Sequence, residues 1–121
     1  MTGVQTCALP ILVYPHAHQV SAYESPVARR QLGAGAGLYA SERPFARLEA
    51  LGRREDFPVI NLLRIFRARA VEGPLFRHAD IRHTPAGAAV FADGIVSGLL
   101  AARVVLGIPE CRRPTGDRGG R

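Results

Sequence analysis

The chain has 121 residues, 47% hydrophobic and 21% charged, with a formal net charge of +6, enough for one small domain or a piece of a larger one with an apolar core. All 16 basic residues are Arg and none is Lys; Arg, Ala, Gly and Pro have GC-rich codons, so a GC-rich bacterial source accounts for the basic balance without a polyanionic partner. A nucleic-acid surface clusters its Arg among aromatics, whereas here they are spread along a chain with three Tyr and five Phe, so no nucleic-acid partner is expected.

The first eleven residues, MTGVQTCALPI, carry no charge and no apolar period. Back-translated, residues 2–11 resemble the codons of a common short-read sequencing-library adapter, and Leu12 supplies the T with which that adapter continues. Residues 1–11 are therefore expected to be an artefactual addition of the kind that says nothing about a fold. The native N-terminus is then missing, and a chimeric or out-of-frame translation with no function is one reading of the chain. Cys7 falls inside the segment and leaves only Cys111. A disulfide framework or Cys-based zinc site within the chain is excluded, and a reducing, cytoplasmic setting is the expectation.

Residues 12–109 are expected to form a partial α/β domain. "ILVYP" predicts a short strand stopped by Pro15, and Gly33, Gly35 and Gly37 predict a loop without the G-x-G-x-x-G of a dinucleotide site. "SERPFARLEALG" predicts a helix with Pro44 in its first turn, Phe45, Leu48 and Leu51 as its apolar stripe and Gly52 at its end. "DFPVINLLRIFRARAVEGP" predicts a second helix, capped by Asp56, with Val59, Leu62, Leu63, Phe66 and Ala70 on one face and Gly73-Pro74 as its stop.

Asp80 to Thr84 predicts a short strand ended by Pro85. Residues 92–106 predict a third helix with Ile95, Val96, Leu99, Leu100, Arg103 and Leu106 on one broad side. Gly94, Gly98 and Ala102 form a smooth stripe that permits close packing on a sheet or helix. Gly107, Ile108 and Pro109 supply a C-terminal stop. Residues 86–108 have the length of a membrane span, but Asp93 and Arg103 would each cost ~2.5–3.5 kcal/mol near the bilayer centre, so no span is expected. Residues 110–121 are polar and rich in Gly and Arg, the composition of a disordered or truncated tail.

Four His residues are the main catalytic currency. His16 and His18 would share one side of a strand, an arrangement that resembles the His-x-His entry of amidohydrolase barrels. His78, Asp80 and His83 complete no familiar ligand set with them, and no metal site is expected. No Ser sits in G-x-S-x-G, and a chain without Lys has no G-x-x-x-x-G-K-[ST]. No motif identifies a cofactor.

The stretch "DIRHTPAGAAVFADGIVSGLLAARVVLGIP" resembles a strand-helix unit in the N-terminal domain of GT-B type glycosyltransferases, through Asp80, His83, Leu100, Ala101, Ala102, Arg103, Gly107, Ile108 and Pro109. The resemblance covers about a quarter of the chain. Arg82 and the polar "ECRRPTG" depart from the apolar strands of that family. It implies a Rossmann-like α/β layer and, in the full-length protein, a nucleotide-sugar substrate. The fragment would be inactive alone, with His83 as the catalytic base on an acceptor hydroxyl and Asp93 beside it as a substrate-binding residue. The last helix also resembles the closing helix of flavin- or nicotinamide-dependent oxidoreductases, which gives the alternative reading.

Overall fold

A computed structural model describes residues 10–33 and 41–102. Residues 1–9 of the adapter-like segment, Gly35 and Gly37 of the glycine run, Arg103, the Gly107–Pro109 stop and the tail lie outside the described residues. The element order is β1 (Ile11–Val13), α1 (Ala17–Val20), α2 (Pro26–Gln31), α3 (Arg43–Arg54), β2 (Val59–Asn61), α4 (Leu63–Arg69) and α5 (Pro85–Ala101). The two strands pair in parallel, Ile11 with Val59, Leu12 with Ile60 and Val13 with Asn61. Ile11, the last residue of the adapter-like segment, thus lies inside β1. The class is mixed α/β, as expected.

Strand alternation distributes β2 between two layers. Val59 and Asn61 point to α3: a Cβ placed on Gly52 would come within 2.6 Å of the Val59 side chain, and Asn61 Nδ2 donates to Glu49 Oε1 at 3.0 Å. Ile60 points the other way, against Gly98 of α5. Helices therefore cover both faces of the pair, as parallel strands require when both sides are apolar.

The helix expected over 56–70 is divided by this pairing. Val59–Asn61 is strand, and only Leu63–Arg69 is helical. The run "VINLL" satisfies a period of two as well as of 3.6, and β1 is the neighbour that decides between them. Asn61 then starts α4 by accepting from Leu63 N through Oδ1 at 3.0 Å. Asp56 caps nothing; it takes a positive φ of 55° in the turn between α3 and β2. The third helix starts earlier than expected, at Pro85, where Thr84 caps it by accepting from Gly87 N at 3.1 Å. Gly52 does not end α3 but lies buried within it.

The core gathers Ala17, Val20, Ile60, Leu62, Phe66, Leu75, Phe76 and Val90. Each large member contributes roughly 1.5–3 kcal/mol by leaving water, and Phe66 at its centre is 0% exposed. The buried side of α5 is Gly87, Val90 and Gly94, with Phe91, Ile95 and Leu99 half-buried beside them. Val96 and Leu100, part of the expected broad apolar side, are exposed. The small-residue face displaces them because it brings the helix axis closer than branched side chains allow. A Cβ on Gly94 would stand 2.7 Å from Leu62 Cδ2, and one on Gly87 would run into the Leu75 carbonyl.

Gly87→Ala meets backbone rather than a movable side-chain end, so it should destabilise the fold by about 1–3 kcal/mol. A urea midpoint equal to that of the unaltered chain would refute this packing.

Candidate functional site

The ten residues between Leu75 and Thr84 form a narrow loop whose two limbs face each other. Phe76 and His83 make an antiparallel bridge. Arg77 N donates to Arg82 O at 2.8 Å, and Thr84 N donates to Leu75 O at 2.9 Å. The Thr84 hydroxyl donates to Pro74 O at 2.9 Å. The expected strand over Asp80–Thr84 is therefore reduced to one bridging residue, because Asp80 and Ile81 turn at the tip of the loop.

The bridge places His83 where β1 ends. Its ring centroid is 6.2 Å from that of Tyr14, the residue after β1, and 4.9 Å, 5.6 Å and 5.5 Å from those of Phe76, Phe66 and Phe91. Tyr14 also meets Phe91 edge-on at 5.3 Å. The imidazole is thus half-buried in an aromatic wall at the carboxyl end of a parallel strand, the end of an open α/β sheet at which ligands bind. Burial lowers the His83 pKa below its ordinary value, because an apolar surround disfavours the imidazolium. The lowered pKa favours the neutral form of the ring.

Asp80 lies three residues before it on the same loop. Its Oδ1 accepts from Arg82 N at 2.8 Å, and its Oδ2 accepts from Arg82 Nε at 3.0 Å and Nη2 at 2.6 Å. The Arg82 side-chain and backbone hydrogen bonds hold its pKa below the usual carboxylate range. Arg82, a break in the apolar pattern of the expected strand, is here the partner that fixes the tip. Asp93 is exposed on α5, about 12 Å along the axis from Pro85 at 1.5 Å per residue. It is not part of the aromatic wall around His83.

His16 and His18 do not occupy a strand. His16 precedes α1 and His18 lies in it, and their rings stack 5.7 Å apart at 9°. The His18 pKa is lowered by burial, then by the charges of His16 and Arg29. Among the described residues no group of three or more His, Cys, Asp or Glu side chains is placed to hold a metal ion, and no helix is long and apolar enough to cross a membrane.

Two residues without any sequence motif hold the loop from beneath. Glu24, 3% exposed, accepts from Leu75 N at 2.8 Å through Oε1 and from Phe76 N at 3.0 Å through Oε2. The Ser25 hydroxyl lies 2.7 Å from Arg77 O and 2.9 Å from Asp80 O. One signal was available: a charged residue and a Ser just before Pro26 mark a turn with local polar work to do. Their partners, more than fifty residues away, have no trace in the sequence. Surface depressions lie between the α3–β2 turn and Ala102, along β2 and α5, and beside Glu24 and Pro74, and His83 lines none of these three. No protein-family model matches the chain, and no curated protein or solved structure matches it.

The lowered His pKa values set a sign for stability. Below about pH 6.5 the unfolded chain binds protons that native His83 and His18 resist, so stability falls as pH drops through that window. Asp80 acts in a separate, more acidic window: its contribution is present above the ordinary aspartate pKa and lost as pH falls below it. Thermal melts should thus show Tm falling between pH 8 and pH 5, with a shallower slope in His83→Phe and the remainder due to His18. A flat profile would contradict the burial of both rings.

Proposed function

We propose that the chain carries the acid–base half of a Rossmann-like α/β hydrolase acting on an ester, with His83 as the base that activates a hydroxyl nucleophile and Asp80 as its carboxylate partner. The observation that supports this most is the neutral imidazole at the carboxyl end of β1 with a carboxylate three residues before it. A general base of this kind accepts the hydroxyl proton and returns it to the leaving group. Its carboxylate orients the ring and stabilises the imidazolium.

Asp80 reaches that role by exchanging Arg82 for a ring nitrogen of His83. Such hydrogen bonds are often loose before substrate binds. The order Asp then His is that of α/β hydrolases whose nucleophile lies earlier in the chain. None of the Ser residues here sits in a G-x-S-x-G nucleophile elbow, so the reading assigns this chain the base and its carboxylate and not the nucleophile.

The second reading is transfer of a sugar from a nucleotide-sugar donor, favoured by the resemblance of residues 80–109 to the GT-B unit. It uses His83 as the base on an acceptor hydroxyl and gives Asp80 no role. Turnover assays with an ester and with a nucleotide-sugar donor plus an acceptor alcohol separate the two. For the hydrolase, His83→Ala and Asp80→Asn each lower ester turnover on the order of 10²–10⁴-fold. For sugar transfer, Asp80→Asn leaves turnover unchanged. Unaltered turnover in His83→Ala removes both.

A further inference from the structure

We infer that Glu24 and Ser25 are positioning residues for His83, a two-point clamp that sets the register of the loop carrying it. This rests on the reading of His83 as the base. Glu24 is buried, and a buried carboxylate persists only where its oxygens are satisfied. Both are used on adjacent backbone N–H groups, those of Leu75 and Phe76. Phe76 is the bridge partner of His83 and its ring is the nearest of the four around the imidazole. A shift at the carboxylate therefore reaches His83 across one bridge.

Ser25 takes hold at the other end of the loop. It is 2% exposed and adopts φ 46° and ψ 58°, a left-handed conformation uncommon outside Gly. The conformation aims its hydroxyl between Arg77 O and Asp80 O, to which its one proton donates in turn. Strain of this sort persists where the surroundings over-determine it and is concentrated at functional sites. Glu24 thus grips the base of the loop and Ser25 its tip. Together they determine both where His83 stands and where the Asp80 carboxylate begins. An apolar pair could bury the same area but could not specify which backbone groups face it.

Glu24→Gln and Ser25→Gly test the clamp in the whole 121-residue chain. Gln presents an amide N–H to one of two backbone N–H groups and loses that bond, while Gly keeps the left-handed turn without strain and deletes the hydroxyl. The readout is NMR titration of His83, whose only titratable ring neighbour among the described residues is Tyr14, with contacts between the His83 and Phe76 rings followed by NOE. Both variants should remain folded by circular dichroism while the His83 pKa rises toward about 6.5 and the Phe76 contacts weaken. Folded variants with unchanged His83 titration and contacts would overturn the clamp. If Glu24→Gln does not fold, Ser25→Gly decides the matter alone. The titration does not depend on turnover, so the clamp can fail while the hydrolase reading stands, and the reverse.

Discussion

The close approach of α5 to the rest of the chain is the constraint from which the other features follow. Three glycines on one side of that helix bring its backbone onto the Leu75 carbonyl, the Leu62 and Ile65 side chains and Ile60 of β2. Side chains of ordinary size at those positions would push the helix away from both the sheet and the loop. With α5 in contact, Phe91 reaches the wall around His83 and Thr84 is placed to cap the helix while its hydroxyl ties back to Pro74. The helix start and the loop end are one structural unit.

That unit explains how a small chain surrounds the His83 imidazole with apolar rings without burying it completely. Phe66 is the hub: it is fully enclosed and touches both Phe76 and His83. Aromatic rings exclude water over a large area and offer no acceptor for a proton, so the imidazole loses hydration without gaining a counter-charge. The Asp80 carboxylate, which would raise the pKa if it reached the ring, is occupied by Arg82. Polar satisfaction elsewhere is thorough: Arg67 links α4 to Gln19 O and to Glu42, and Asn61 serves both Glu49 and the start of α4. Among the described residues no buried side-chain nitrogen or oxygen lacks a hydrogen-bond partner.

Of the residues around the candidate site, the sequence analysis named His83, Asp80 and Asp93, and not Glu24 or Ser25. His83 was singled out through the resemblance of residues 80–109 to the GT-B unit, and the structure places its ring beside Tyr14 at the end of β1. Asp93 was less legible because its sequence distance from His83 says nothing about phase: at 100° per residue it faces solvent on α5. Glu24 and Ser25 were invisible as site residues, since their partners are backbone groups, and any residue type supplies those. His16 and His18 do not share a strand: β1 ends at Val13, and after Pro15 the chain enters α1.

Local chemistry in the sequence was sufficient for the elements whose periodicity, caps and stops agree. Pro44, the apolar stripe of α3 and the stiff "ILV" stretch determined a helix and a strand, and the glycine repeat of α5 determined that something would pack closely against it. What only the tertiary structure decided is which of two compatible patterns a segment obeys. Val59–Asn61 is strand because β1 lies alongside to share its hydrogen bonds. Val96 and Leu100 face outward because the glycine side of α5 makes the tighter contact. Both outcomes are choices between partners far apart in the chain, and a local pattern cannot rank partners it does not contain.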